Sequence, residues 1–132
     1  YASLATVGED GTPYVVPISP ARIGESLYFH CALQGHKLDN IRENQNVSLC
    51  CVGEAVVLGD EYAVAYESAV AFGTAEIVVD EEECRRALMA ICEKYASVDR
   101  EAIAAYIEPR LAATAIVRVD VSGFSAKKRP LS

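Results

Sequence analysis

The sequence predicts an α+β protein built around an antiparallel β-sheet or barrel. Short extended runs separated by turn signals fill the first half of the chain, two helical stripes occupy the second half, and the run AIVRVDV closes it. A chain of 132 residues is long enough to bury a core of its own. Because no internal repeat and no domain boundary is visible, we expect residues 1–132 to form a single domain.

The first half is punctuated like an antiparallel sheet. The run SLATV is followed by the turn signal GEDG and by the extended run PYVVPIS. Pro17 interrupts this second run, and since proline cannot donate to a ladder, we expect the strand to lie at an edge. After a turn at 22–25, SLYFHC predicts a strand on which His30 faces away from Phe29.

The middle of the chain changes character twice. A short helix is predicted from near His36, because Leu38 and Ile41 recur at helical spacing among polar residues. The strand VSLCCV follows, then a polar and mobile stretch, GEAVVLGDEYAV, and a longer strand through AVAFGTAEIVV. Gly73 in that last run predicts a β-bulge or a close approach of two backbones.

Two helices are predicted in the second half. Asp80 is a credible N-cap, with Glu83 at the capping-box position. The stripe behind it consists of Cys84, Leu88, Ile91, Cys92 and Tyr95. A second helix begins near Asp99, and its apolar face comprises Ile103, Tyr106, Ile107 and Leu111. The tail SAKKRP follows the closing strand.

Charge and hydropathy exclude several classes of function. The net charge of -7 and pI near 4.8 argue against nonspecific binding of nucleic acid, which requires a basic surface. No apolar run approaches the roughly 20 residues that a transmembrane helix needs, and no signal peptide is visible. The chain begins at Tyr1 rather than Met, and we expect further residues before it.

The five cysteines predict no metal site. No CxxC pair occurs, and the spacings match neither a zinc site nor a small disulfide framework. We expect reduced and mostly buried thiols in a cytoplasmic protein. Ligation of haem or a metal by His30 or His36 is a minor alternative.

The segment Gly35-His36-Lys37 is the main candidate site. A helix start presents free backbone N–H groups and the positive end of the helix dipole to an anion, and Gly35 lets the backbone approach it closely. His36 and Lys37 would add charge or hydrogen bonds, which is typical of a phosphate site. The alternative is a solvated helix start with an exposed lysine.

His30 and Cys31 are the candidates for chemistry. His30 could position or protonate a substrate, or it could be a structural histidine with one satisfied hydrogen bond. Cys31 has no resolving cysteine nearby in sequence, so a packed small residue is favoured over a redox-active one.

Five blocks, in order, resemble the flavin-binding split-barrel superfamily related to pyridoxamine 5'-phosphate oxidase. They are LATVGEDGTPYVVPIS, YFHCALQGHKLDNIRENQNVSL, YESAVAFGTAEIV, DEEECRRALMAICEKY and AIVRVDVSGFSAKK. Within the superfamily the chain is most similar to the nitroimidazole-resistance (Nim) group. Gly35 replaces the hydroxyl residue of the oxidase branch, which favours the Nim-like branch.

This resemblance implies a six-stranded antiparallel split β-barrel with flanking helices that forms a homodimer, with one FMN at each of two sites between the subunits. It places His36 and Lys37 at the FMN phosphate. The residues implied beside the isoalloxazine and ribityl groups are Val16, Pro17, Ile18, Ser19, His30, Cys31 and Ala32. Those implied on a bordering strand and at the C-terminal end are Tyr66, Ser68, Val70 and Lys127, although FSAK stands where the family commonly has Gly-Lys.

The function implied is that of an FMN-dependent oxidoreductase. Electrons from a reduced nicotinamide or another donor would pass through the flavin to a small acceptor such as a nitroaromatic compound, with His30 as the catalytic residue. One alternative is a flavin- or haem-binding module without turnover. Another is a deazaflavin-dependent reductase, which ranks lower because an acidic chain offers few cations for a longer anionic tail.

Overall fold

The computed structural model describes residues 1–131, which form one antiparallel sheet of seven strands and three α-helices. The strands are β1 (Ala2–Val7), β2 (Pro13–Ile18), β3 (Ala21–Ile23), β4 (Ser26–Ala32), β5 (Asn46–Leu58), β6 (Ala63–Ile77) and β7 (Thr114–Arg129). The helices are α1 (His36–Glu43), α2 (Glu81–Tyr95) and α3 (Arg100–Ile107). The α+β class is therefore confirmed. No helix in this part of the chain is long and apolar enough to span a membrane.

The strand order is β2-β1-β5-β6-β7-β4-β3, and the sheet curls around one core. Ile18 of β2 and Phe29 of β4 come from opposite ends of this order, yet they belong to the same buried cluster. The edge position expected for the strand with Pro17 is confirmed. The resemblance implied six strands, whereas the sheet has seven. Residues 22–25 were expected to form a turn, but Ala21–Ile23 pairs with β4 as a short strand before Gly24 takes a positive φ of 62°.

Helix α1 closes the interior of the curled sheet. Leu38 and Ile41 are almost fully buried in the main core, as their spacing predicts. Asn40 is also buried, and its side-chain amide donates to the hydroxyl of Thr6 at 3.0 Å. This bond satisfies a polar group that would be costly to bury alone, and it fixes α1 against β1.

The helices α2 and α3 pack on the outer surface of the sheet and form a second core with Tyr28 and Ile116. The N-cap at Asp80 is confirmed, since its carboxylate accepts a hydrogen bond from the N–H of Glu83 at 2.9 Å. Only this first hydrogen bond of the capping box forms. The Glu83 side chain instead accepts from Tyr28 and Arg118, which ties the start of α2 to the sheet.

The stretch expected to be polar and mobile is ordered as strand. Strand β5 continues to Leu58, a 3-10 turn covers Gly59–Glu61, and β6 begins at Ala63. The basic tail likewise continues β7 to Arg129 and pairs with β6. Residues 52–58 of β5, 63–72 of β6 and 123–129 of β7 form a three-stranded extension of the sheet, which we call the arm.

A β-bulge marks the point where the arm leaves the curled sheet. The register between β6 and β7 shifts between Phe72 and Gly73. A Cβ on Gly73 would lie 2.2 Å from the carbonyl oxygen of Asp120, which is closer than any real contact. Both readings of Gly73, a bulge and a close backbone approach, are confirmed.

Candidate functional site

The start of α1 leaves its backbone donors free. The helix begins at His36, and its N-cap, Gly35, makes no side-chain capping bond. A Cβ at Gly35 would meet nothing within 4 Å, and its φ of 163° is extended backbone that any residue can adopt. Glycine is therefore not required by strain here. It keeps open the space in front of N–H groups that have no acceptor within the helix.

Lys37 lacks an ion-pair partner within residues 1–131, although the chain carries an excess of carboxylates. The cations that do form ion pairs there are Arg42, Arg85, Arg100, Arg118 and Lys128. Lys37 is half-buried, so its charge loses part of its hydration. An acidic protein that keeps such an amine unpaired presents a local site for an anion.

Two adjoining depressions share Lys37. The smaller, of about 250 Å³, is lined by Tyr14, Val16, Cys31, Ala32, Gln34, Gly35, His36, Lys37 and Leu38. The larger, of about 580 Å³, is lined by Tyr1, Pro17, Ile18, Ser19, His30 and Lys37. The two histidines thus lie at different ends of one continuous surface. Nine of the residues expected at the cofactor lie along it, from Val16 to Lys37.

The wall of the larger depression is an edge strand. Strand β2 pairs only with β1, so one row of its backbone groups faces away from the sheet. The corner after β2 is fixed from outside, because the carbonyl of Pro20 accepts from the amine of Lys94 at 2.8 Å and from the hydroxyl of Tyr95 at 2.7 Å. The end of α2 therefore holds the position of Ser19 at the rim.

The Cys31 thiol is not set up for nucleophilic chemistry. Burial raises its pKa above the usual value, and the nearby Lys37 only partly opposes this. The thiol is therefore protonated at neutral pH, which agrees with the reading of a packed small residue. All five cysteines are free, as expected, but none is fully buried and Cys51 is exposed.

The described residues contain no cluster of three or more His, Cys, Asp or Glu side chains able to hold a metal. His30 is exposed at the end of β4, and His36 is exposed at the start of α1. Each borders a different depression.

The remaining expected residues form a separate group on the arm. Tyr66, Ser68 and Val70 alternate along β6 and therefore share one face of it. Lys127 lies directly opposite Ser68 on β7, and its amine is 5.8 Å from the centre of the Tyr66 ring. The two depressions that contain Lys37 include none of these four residues.

Sequence reasoning missed Tyr14, Tyr1 and Gln34. Tyr14 stacks on His36, with ring centroids 4.0 Å apart and an angle of 27° between the planes. Period-two alternation along PYVVPI places Tyr14 on the same face as Val16 and would have identified it. Gln34 directly precedes the candidate glycine, but a lone polar residue there gives no signal.

Comparison with protein families gives one match over nearly the whole chain. Residues 1–128 match the family model described as pyridoxamine 5'-phosphate oxidase. No curated protein sequence matches this chain.

Three solved structures share the fold. A candidate 5-nitroimidazole antibiotic resistance protein from Bacteroides thetaiotaomicron is 23% identical with a TM-score of 0.77, over 95% of this chain and 74% of that one. A conserved hypothetical protein from Mycobacterium tuberculosis is 20% identical with a TM-score of 0.82, over 96% and 76%. An FAD- and haem-binding protein from Mycobacterium smegmatis is 24% identical with a TM-score of 0.69, over 96% and 64%.

At identities below 25%, these likenesses establish the fold. Together with the family match, they confirm the superfamily resemblance that the sequence blocks carry, and a neighbour of nitroimidazole-resistance type agrees with it.

Proposed function

The chain belongs to the pyridoxamine 5'-phosphate oxidase family, and on that premise we propose that it is an FMN-dependent oxidoreductase that reduces a small acceptor such as a nitroaromatic compound. The observation that carries the proposal is the unpaired, half-buried Lys37 at an uncapped helix start, between two depressions that each contain a histidine. FMN has an anionic phosphate at one end and a largely apolar ring system at the other, and this surface is complementary, with Lys37 at one end and Pro17 and Ile18 at the other.

The helix start fits the phosphate of FMN. The start of α1, Lys37 and His36 all border the depression that contains Gly35, where a Cβ would meet nothing within 4 Å. Charge-assisted hydrogen bonds of this kind are roughly twice as strong as neutral ones, and the helix dipole favours the same negative charge.

The larger depression fits the isoalloxazine ring. Flavin rings are held by apolar walls with backbone donors and acceptors at their polar edge, and β2 offers both through Pro17 and Ile18 and its free backbone row. A volume of about 580 Å³ lies within the range of ligand pockets.

Bound FMN would supply electron transfer between a reduced nicotinamide and the acceptor. His30 lies on the rim of the larger depression, exposed to solvent, where it can donate a proton to the acceptor as that is reduced. A reducing compartment suits five free thiols, and we place the protein in the cytoplasm.

We further propose a homodimer with the cofactor at the subunit interface. The arm and its base expose large apolar side chains that a second copy would cover: Val52, Val57, Val64, Phe72 and Phe124. The group around Lys127 would then complete the site of the partner, since it lines neither of the two depressions that contain Lys37 in its own chain.

The first experiment is a titration of the purified apoprotein with FMN, followed by anaerobic addition of NADH. We expect saturable uptake of a yellow chromophore whose absorbance bleaches with NADH and recovers when a nitroaromatic compound is added. Absence of FMN uptake would refute the proposal.

A substitution at His30 separates catalysis from binding. The variant His30→Gln is expected to bind FMN within about threefold of the unchanged protein and to reduce the acceptor at least about tenfold more slowly, because general acid catalysis is lost. Equal turnover of the variant would show that His30 does not move the proton.

A flavin- or haem-binding module without turnover is the second candidate. It is favoured by the fold likeness to an FAD- and haem-binding protein. A Soret band on addition of haemin, combined with FMN that binds without bleaching by NADH, would select it.

A further inference from the structure

The stack of Tyr14 on His36 connects strand β2 to the start of helix α1. Tyr14 lies on β2, opposite Thr6 of β1, whereas His36 is the first residue of α1. The centroid distance of 4.0 Å and the angle of 27° describe rings in close parallel contact. Aromatic pairs of this kind stabilise a fold by more than the burial of their apolar surface alone.

The stack limits how His36 can be used. The Tyr14 ring covers one face of the imidazole, so the ring edge that carries both nitrogens is left for a ligand. Within residues 1–131 the imidazole makes no hydrogen bond and no salt bridge. Asp10 is close enough for an electrostatic interaction with it. The carboxylate of Asp10 instead accepts from the N–H of Thr12 at 3.0 Å.

The stack also restrains a side chain that would otherwise move freely. His36 is exposed, and an exposed side chain at a helix start loses rotamer freedom when it binds a ligand. A ring that is already held loses less. When the imidazole is protonated, the face of Tyr14 further stabilises the cation.

We propose that Tyr14 is a positioning residue for the phosphate clamp, holding the His36 ring with its nitrogen edge toward the anion at the start of α1. This inference rests on the proposed FMN site. It assigns Tyr14 a role at the phosphate end only, because the residues of the ring end, Pro17 and Ile18, lie farther along β2. The contact uses the ring of Tyr14, so its hydroxyl is dispensable.

The test compares FMN with riboflavin, which has the same ring system and no phosphate. Tyr14→Ile keeps a residue suited to a strand and removes the aromatic ring, and Tyr14→Phe keeps the ring. We expect Tyr14→Ile to weaken FMN about tenfold and to change riboflavin by less than about twofold, whereas Tyr14→Phe changes neither. In the ligand-free protein, the His36 ring proton signals should lose an upfield ring-current shift in Tyr14→Ile alone.

A double-substitution cycle keeps the test independent of folding effects. In a His36→Ala background, Tyr14→Ile should cost no further FMN affinity, because the ring it positions is gone. Tyr14→Ile protein that binds FMN as well as the unchanged protein would overturn the inference alone. So would equal losses for FMN and riboflavin, or a full additional loss in the His36→Ala background. If the unchanged protein binds neither flavin, the proposed function itself fails, and the inference fails with it.

Discussion

Lys37 illustrates how charge can mark a site in an acidic protein. Carboxylates outnumber cations by 19 to 12, yet seven of the twelve cations form no ion pair within the described residues. Lys37 is the one of these seven that is half-buried rather than exposed. The nearest acid in sequence, Asp39, is two residues along the helix and pairs with Arg42. Residues two apart do not face each other on a helix. The amine of Lys37 is therefore available to a ligand.

We expect Lys37→Met to weaken FMN by about ten- to a hundredfold, because a charge-assisted hydrogen bond to a phosphate contributes about 1.5–3 kcal/mol. Fluorescence quenching of FMN on titration measures the dissociation constant. The matched control is Arg42→Met, which removes the same charge from the last turn of the same helix. Equal effects of the two substitutions would mean that only net charge matters and that Lys37 does not contact the phosphate.

At the scale of elements, the bulge at Gly73 determines how the arm leaves the curled sheet. Strand β6 continues from the arm into the curled sheet, and β7 pairs with it both before and after the bulge. The backbone of Asp120 approaches so closely that no side chain fits at residue 73. The arm and the curled sheet are therefore connected through a point that tolerates only glycine.

Gly73→Ala is expected to lower the free energy of unfolding by about 3 kcal/mol, since the new methyl group displaces backbone rather than a flexible side chain. Urea denaturation followed by circular dichroism gives this value. Gly123→Ala is the control in the same bulge, because a Cβ there meets nothing within 4 Å and we expect a change of less than about 0.5 kcal/mol. A neutral Gly73→Ala would show that the two backbones lie farther apart than described.

Glu83 connects the start of α2 to the sheet. Its side chain is 17% exposed, and the hydrogen bond from Arg118, supported by that from Tyr28, holds the pKa of the carboxyl below its usual value of 4.5. A lowered pKa in the folded protein means that this stabilisation is complete above pH 4.5 and is lost as the pH falls through the folded value.

The free energy of unfolding of Glu83→Gln should therefore be about 2 kcal/mol lower than that of the unchanged protein at pH 7. This difference should shrink below pH 4.5. Thermal or urea denaturation at a series of pH values measures both quantities. The control Glu82→Gln, in the same helical turn, removes an exposed contact to Arg85 and should change stability by less than about 0.5 kcal/mol. A difference that grows on acidification would contradict the assignment.

Elements with a local burial pattern were predictable from the sequence, and the arm was not. The N-caps and spacing of α2, and the turn between β1 and β2, depend on residues close together in the chain. Residues 53–62 are mostly exposed on both faces, so they lack the alternation that identifies a half-buried strand. Their order comes from pairing with β6, which in turn pairs with the distant β7.

At the scale of the whole molecule, the candidate site is predictable only in pieces. The helix start at Gly35 could be read from the sequence because three adjacent residues carry its chemistry. The contact of Tyr14 with His36 depends on how β2 approaches α1, and the position of Lys127 opposite Ser68 depends on the register of two long strands. Neither the Tyr14–His36 contact nor the Lys127–Ser68 pairing can be predicted from a single sequence without knowledge of the fold.

The separation of the Lys37 surface from the Lys127 group gives a prediction about the assembled protein. If each flavin site takes Lys37 from one subunit and Lys127 from the other, Lys37→Met and Lys127→Met homodimers will both bind FMN weakly. In a heterodimer of the two variants, one site carries both substitutions and the other carries neither. Random exchange of equal amounts should therefore restore tight binding at about one quarter of all sites, because half of the dimers are heterodimers.

Exchange is achieved by unfolding and refolding the mixed variants, and the number of tight sites is counted by titration with FMN. The unmixed variants, treated in the same way, are the control and should recover none. No restored tight binding in the mixture would mean that both lysines act within one chain, or that Lys127 does not contribute. Restoration can arise only when two copies of this chain build one site, because each variant lacks one of the two amines.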